Sequence, residues 1–147
     1  MKIMKQLFTI IAAVVLSLSC AGADDRPSSF HVLPAAAQTF VNNNYPDVKV
    51  LYVTVDDDLI RPDYKVALVN GVEMQFNSNG NLEKIEARKT GVPEKLIPVQ
   101  IMTYVRNHYP DASVTEYEID KRHYEIKLSN RLELTFNKNF NVIELDD

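Results

Sequence analysis

The 147-residue chain contains few of the residues that form cross-links and cofactor-binding loops, with one cysteine, four glycines and no tryptophan. Its cysteine, Cys20, lies in an N-terminal segment that we expect to be removed, so an intramolecular disulfide framework is excluded. Four glycines are too few to build a glycine-rich phosphate-binding loop. Stability must therefore come from a hydrophobic core, which a chain of this length can form.

The sequence also lacks the patterns of common catalytic sites. No serine lies in G-x-S-x-G or S-x-x-K, and the three histidines show neither H-x-x-x-H nor H-E-x-x-H spacing. We expect His108, at a predicted helix end, and His123, in a predicted turn, to have surface or capping roles. The sequence therefore predicts no enzyme, no catalytic residue, no cofactor and no metal site.

The first 23 residues have the layout of a secretory signal peptide. Two lysines precede an apolar run from Leu7 to Leu18, and small residues follow it. This order, with an A-x-A pattern at Ala21–Ala23, is typical of a cleaved signal, and the run is shorter than the roughly 20 residues of a membrane-spanning helix. We expect a periplasmic or secreted protein after cleavage near Ala23. The alternative is a lipoprotein anchored at Cys20, because the preceding L-S-L-S resembles a loose lipobox.

Negative charge dominates the remaining chain. Cleavage near Ala23 removes two lysines and no acid, so the formal net charge changes from −4 to −6. Without a concentrated basic patch, the chain is predicted to bind neither nucleic acid nor an anionic membrane surface. The acidic run Asp56–Asp58, with Asp63, lacks the alternating acids, central glycine and closing glutamate of an EF-hand loop. We therefore expect a solvated turn there.

The chain repeats itself. Leu33–Asp47 recurs as Ile97–Asp111 at an offset of 64 residues, and Tyr64–Asn81 recurs as Tyr124–Asn141 at an offset of 60. The first copy therefore carries four extra residues within 57–63. Such ordered self-similarity indicates a duplicated structural unit.

Each copy has the pattern of one helix followed by strands. The helices begin near Pro34 and Pro98, and Y-P pairs end them. Apolar and polar residues then alternate with period two, first at Leu51, Val53 and Val55, which predicts an antiparallel sheet with one buried face. Hairpin turns are expected at N-G and at asparagine-rich segments, which form Asx turns without any metal.

These elements predict an α+β fold of two tandem repeats. Each repeat is a helix followed by a three- to four-stranded antiparallel meander, and the helices pack on one sheet face. We call residues 24–88 repeat 1 and residues 89–147 repeat 2. The connector Lys89–Pro93 is short, so we expect the repeats to pack as one compact unit. They form either one long sheet or two adjoining small sheets.

The combination of motifs resembles the PepSY-like proteins of Bacteroides-type bacteria. The matching features are the signal peptide, Leu33-Pro34, Tyr45–Asp47 and the F-N-x-N-x-N turn at Phe76–Asn81, with their second copies. The resemblance implies a fold like that of β-lactamase inhibitor protein, with a concave sheet that could grip a partner. It implies no catalytic residues.

We therefore predict a non-catalytic binding module for a protein or peptide partner. The predicted surface combines the outward sheet face with the loop at 57–63, whose apolar residues Leu59 and Ile60 either contact a partner or fold over the core. Its residues are Tyr52, Thr54, Leu59, Ile60, Arg61, Lys65, Glu73, Gln75, Glu116, Glu118, Glu125, Lys127 and Glu133. The alternative is a small-molecule or ion binder with a pocket between the repeats. A third hypothesis, a hydrolase with dispersed carboxylates, is weaker because those carboxylates alternate with core residues.

Overall fold

The computed structural model describes residues 25–56 and 61–147. The predicted signal peptide, Cys20 and the pair Leu59–Ile60 lie outside these residues. The described elements are, in chain order, β1 (Asp25–Ser28), α1 (Ala35–Asn44), β2 (Val50–Asp56), β3 (Asp63–Leu68), β4 (Glu73–Phe76), β5 (Leu82–Glu86), α2 (Val99–His108), β6 (Val114–Ile119), β7 (His123–Leu128), β8 (Glu133–Asn137) and β9 (Val142–Asp146). A short 3-10 turn precedes each helix, at Phe30–Val32 and at Glu94–Leu96.

All nine strands form a single antiparallel sheet in sequential order from β1 to β9. Helix α1 lies between β1 and β2 in the chain, and α2 lies between β5 and β6. The pairing of β5 with β6 places Ile85 opposite Tyr117 and joins the two repeats through backbone hydrogen bonds. The α+β class with two helices and an antiparallel sheet is confirmed. Of the two predicted arrangements, the structure has one long sheet and not two adjoining small sheets.

One face of the sheet forms the core. Residues that pair across neighbouring strands share a face, because side chains alternate along each strand. One such row crosses the sheet and is buried throughout: Val53, Val66, Met74, Ile85, Tyr117, Ile126 and Leu134. Each large apolar side chain in the row contributes about 1.5–3 kcal/mol through burial. This row defines the inner face.

Both helices cover the inner face through equivalent aromatic contacts. The ring of Phe40 in α1 meets Phe76 edge to face at 5.6 Å, and Tyr104 in α2 meets Phe136 in the same way at 5.5 Å. Edge-to-face pairs add about 0.5–1.5 kcal/mol beyond the area they bury. Each repeat therefore fixes its helix to the same face with the same contact.

The expected inward position of Leu51 is wrong. Val50 pairs with Leu68 and Tyr52 pairs with Ala67, so the register shifts at Leu51. Such a β-bulge inserts one unpaired residue and changes which face the following residues occupy. Leu51 is consequently 62% exposed, whereas Val53 is buried.

The asparagine-rich turns have the predicted hydrogen bonds. The side-chain oxygen of Asn77 accepts hydrogen bonds from the backbone N–H groups of Asn79 and Asn81, at 3.0 and 3.1 Å. Asn137 makes the equivalent two bonds in repeat 2, both at 3.0 Å. These bonds explain the asparagines as turn-forming residues.

Gly80 lets the turn after β4 approach α1 closely. Its φ is +81°, and a Cβ at this position would lie 2.9 Å from both the backbone nitrogen of Ala37 and Cβ of Pro34. Gly71 also has a positive φ, of +86°, but a Cβ there would meet only the flexible side chain of Lys89, at 3.6 Å. A side chain at either glycine would strain the backbone, but only a side chain at position 80 would also clash with α1.

We expect Gly80→Ala to lower the free energy of unfolding by about 3 kcal/mol, because strain and overpacking combine. Gly71→Ala is the control and should lower it by about 1 kcal/mol through strain alone. Urea unfolding followed by circular dichroism measures both values. Equal losses would show that α1 does not pack tightly on this turn.

Candidate binding surface

The face opposite the helices is lined by polar and charged side chains, and no helix covers it within the residues that the structure describes. We call it the outer face. On β2 to β9 the strand register assigns to it Tyr52, Thr54, Asp56, Asp63, Lys65, Ala67, Glu73, Gln75, Lys84, Glu86, Glu116, Glu118, His123, Glu125, Lys127, Glu133, Thr135, Asn137, Glu144 and Asp146.

The structure brings together on this face every site residue that was predicted on a strand. Arg61 is exposed and lies in the segment before β3, whereas the predicted loop residues Leu59 and Ile60 fall outside the described residues. The charged residues Asp56, Asp63, Lys84, Glu86, Glu144 and Asp146 also lie on the outer face and were not among the predicted site residues. Lys84 and Glu86 could have been predicted from the sequence, because they flank the apolar Ile85 and so follow the period-two alternation of a strand.

The outer face is strongly acidic. On β2 to β9 its ten carboxylates are Asp56, Asp63, Glu73, Glu86, Glu116, Glu118, Glu125, Glu133, Glu144 and Asp146, and its three lysines are Lys65, Lys84 and Lys127. A face with this imbalance attracts a partner that carries positive charge and repels an acidic one.

Lys84 lies at the centre of a charged network where the two repeats meet. Its Nζ atom lies 2.5 Å from Oε1 of Glu116, 3.5 Å from Oε1 of Glu86 and 3.6 Å from Oε2 of Glu118. Partial burial alone would lower the pKa of Lys84, but the hydrogen bond and charge of Glu116, with the other two carboxylates, outweigh burial and raise it. The lysine therefore stays charged and holds three like-charged glutamates together.

Two glutamates beside this network share a proton. The hydrogen bond to Glu133 is the main factor that raises the pKa of Glu125 to about 7, and partial burial and the neighbouring negative charges add to it. The same hydrogen bond lowers the pKa of Glu133, whose carboxylate lies 3.5 Å from Nζ of Lys127. The pair therefore titrates as a unit, in which the hydrogen bond between the two carboxyl groups favours the proton on Glu125 and the charge on Glu133.

Repeat 1 presents apolar residues where repeat 2 presents polar ones. Leu51, Tyr52 and Val69 are 62%, 40% and 54% exposed, and Ala67, which is only 4% exposed, lies opposite Tyr52. We call these four residues the apolar patch. Their counterparts in repeat 2 are Thr115, Glu116, Lys127 and Ser129. Because repeat 2 builds the same strands with polar residues, the fold itself does not require an apolar patch here.

Two concavities open on or beside this surface. The larger, of about 680 Å³, opens to solvent beside repeat 2 and is lined by Arg88, Thr115, Lys127, Leu128, Ser129, Arg131, Glu133, Asp146 and Asp147. The smaller, of about 170 Å³, is bordered by Thr54, whose buried hydroxyl has no hydrogen-bond partner among the described residues. Across 25–56 and 61–147, no group of three His, Cys, Asp or Glu residues is placed to hold a metal ion.

Two of the histidines lie in surface positions. The ring of His108 stacks on Tyr104 at 3.9 Å, and its Nδ1 lies 2.9 Å from the backbone oxygen of the same residue. His123 lies 3.6 Å from Asp120 in the β6–β7 turn. Two backbone N–H groups of that turn bond to Asp120 and lower the pKa of its carboxyl.

Comparison with known families identifies the fold. A family model described as "Putative beta-lactamase-inhibitor-like, PepSY-like" matches residues 25–84 and, in a second match, residues 62–144. The chain belongs to the PepSY-like family. The resemblance seen in the sequence motifs is confirmed, and the two matches agree with the internal duplication.

Solved structures of Bacteroides proteins resemble this PepSY-like chain closely. One from Bacteroides vulgatus, described as a putative periplasmic protein, is 38% identical with a TM-score of 0.81, and the match covers 86% of this chain and all of that one. One from Bacteroides thetaiotaomicron, described as a putative calcium-regulated periplasmic protein, is 40% identical with a TM-score of 0.81, and covers 84% of this chain and 98% of that one. A second Bacteroides vulgatus protein, described as periplasmic and of unknown function, is 29% identical with a TM-score of 0.79, and covers 84% and 100%.

No curated protein matches the chain. The descriptions of the structural relatives name the periplasm and no catalytic activity. Within the described residues, no helix has both the length and the apolar character needed to cross a membrane.

The shared proton predicts a pH-dependent stability. Because the pKa of Glu125 is raised to about 7 in the folded PepSY-like chain, the folded state binds more protons than the unfolded state between about pH 4.5 and 7. The free energy of unfolding should therefore fall as the pH rises through this window. Glu125→Gln mimics the protonated form and should remove that part of the dependence.

Urea unfolding at several pH values measures the effect, and ¹³C NMR of the glutamate carboxyl groups follows the titration of Glu125 directly. Glu73→Gln removes a carboxylate from the other half of the outer face and serves as the control. A wild-type stability that rises between pH 5 and 7, with Glu125 already ionised at pH 5, would contradict the shared proton.

Proposed function

We propose that the chain is an exported, non-catalytic binding module that binds a protein or peptide through its outer face. Export is supported by the N-terminal signal layout and by the periplasmic descriptions of its relatives. After cleavage near Ala23 the module works in the periplasm.

The apolar patch is the observation that carries this proposal. Leu51, Tyr52 and Val69 remain exposed on a sheet that repeat 2 builds equally well with threonine, glutamate and serine. Exposed apolar residues that the fold does not need are typical of a contact surface. Tyr52 suits the centre of such a contact, because a tyrosine ring offers a large apolar area and one polar group at a small entropic cost.

The charged half of the outer face sets the chemistry of the partner. The carboxylates around Lys84 lie on β5 and β6, and the pair Glu125–Glu133 lies on β7 and β8. Surface carboxylates increase the association rate of a basic partner and discriminate against an acidic one more than they add affinity. The partner is therefore a protein or peptide with an apolar anchor for the patch and positive charges beside it.

The predicted loop at 57–63 connects β2 to β3 along the chain. It follows β2 at Asp56, whereas the patch begins at Leu51 near the other end of the same strand. Seven residues of strand span about 20 Å, so the patch and Asp56, where the predicted loop begins, lie near opposite ends of β2.

Affinity capture from an envelope extract tests the proposal. The baits begin at Asp24 and include the wild type, the patch variant Leu51→Ser with Val69→Ser, and the loop variant Leu59→Ser with Ile60→Ser. The control, Val99→Ser, removes an apolar residue of α2 that is 66% exposed. We expect the wild type and the control to retain one partner and the patch variant to lose it by about tenfold or more.

Equal retention by the patch variant and the wild type would contradict the assigned surface. If folded wild-type bait captures no protein at all, the alternative of a small-molecule or ion binder is favoured instead. Circular dichroism of every bait shows whether a loss reflects misfolding.

A further inference from the structure

The outer edge of β9 is equivalent to an edge that is occupied elsewhere in the same chain. β9 pairs with β8 in the same register as β5 with β4: Leu145 lies opposite Leu134, as Ile85 lies opposite Met74. Both pairs carry a register shift at the same position, next to Phe76 and to Phe136. β9 is therefore the second copy of β5.

The two copies differ in what covers their other edge. β5 is covered by β6, which places Tyr117 beside Ile85, and both side chains are buried. On the outer edge of β9, no strand is paired among the described residues. Leu145, the counterpart of the buried Ile85, is consequently 49% exposed. An edge strand of this kind presents unpaired backbone N–H and C=O groups to an incoming strand.

The charges of β9 decide which strand can pair with it. At the paired edge of β5, Lys84 faces Glu118 and Glu86 faces Glu116 of β6. The ammonium group of Lys84 contacts both of these β6 glutamates. At the matching positions β9 carries Glu144 and Asp146. Opposite charges on directly facing strand residues stabilise a pair, and like charges destabilise it. An acidic strand such as β6, or a second β9, is therefore disfavoured.

We propose that the outer edge of β9 binds an extended segment of another protein as a tenth, antiparallel strand. The segment has one large apolar residue, which packs beside Leu145. A lysine or arginine lies on each side of that residue, so that one faces Glu144 and the other faces Asp146. Backbone hydrogen bonds supply affinity in this mode of recognition, and alternate side chains supply specificity. The site lies at the sheet edge and is independent of the apolar patch on the outer face.

Two hexapeptides test this proposal on the folded chain. The first is V-T-K-Y-K-I, which is the sequence of β6 with both glutamates replaced by lysine, and the second is V-T-E-Y-E-I, the unchanged β6 sequence. NMR-detected hydrogen exchange measures protection of the β9 backbone amides, and a peptide titration gives the dissociation constant. We expect the basic peptide to protect amides within Ile143–Asp146 and to bind about tenfold more tightly than the acidic one.

Two charge variants separate strand pairing from general attraction. Glu144→Lys with Asp146→Lys should reverse the preference, so that the acidic peptide binds more tightly. Asp47→Lys with Asp111→Lys makes the same change of charge at two exposed loop residues and should leave the preference unchanged.

The proposal is overturned if the basic peptide shifts outer-face signals without protecting β9 amides, which would indicate attraction to the acidic face alone. It is equally overturned if both variants change the preference to the same extent. Dimers joined through β9, detected by analytical ultracentrifugation and by protection of the same amides without peptide, would show that the edge binds a second copy instead.

Discussion

The fold depends on one helix being fixed to one face of the sheet in each repeat. The edge-to-face contacts of Phe40 with Phe76 and of Tyr104 with Phe136 place both helices on the inner face. Each helix is ten residues long, and such short helices owe their stability to tertiary packing. The outer face therefore has to be stable in contact with water. At its centre Lys84 lies within 3.6 Å of three glutamate carboxylates and offsets their mutual repulsion where β5 meets β6.

The two repeats use the same scaffold for different surfaces. Their strand registers, bulges and asparagine turns match, so the differences between them are not needed for the fold. Three differences stand out: the apolar patch at Leu51, the charged network around Lys84 and the acidic edge of β9. At Leu51 repeat 1 carries apolar residues where repeat 2 carries polar ones, and at Lys84 it carries a cation where repeat 2 carries Glu144. Each difference supports a contact with another molecule. The proposed functions of the chain therefore follow from its departures from internal symmetry.

Much of the architecture was predictable because it depends on local periodicity. The helices between the proline signals, the turns at Asn77 and Asn137, and the outward position of Glu116 and Glu118 all follow from spacing. The position of Leu51 was not predictable, because a bulge shifts the register without changing the alternation of the sequence. The short strand β1 contains Pro27 and has no alternating pattern. The proton shared by Glu125 and Glu133 depends on which strands become neighbours, and residue spacing within one strand carries no such information.

Photo-crosslinking tests the central claim, that the outer face is the binding surface, most directly. A benzophenone analogue of phenylalanine replaces Tyr52 in one sample and the exposed Val99 of α2 in the other. Each variant is produced in the native host, so that its envelope proteins are present. We expect illumination to attach one protein or peptide to position 52 and none to position 99. An adduct at position 99 alone, or equal adducts at both positions, would contradict the assignment and move the contact to the helical side of the molecule.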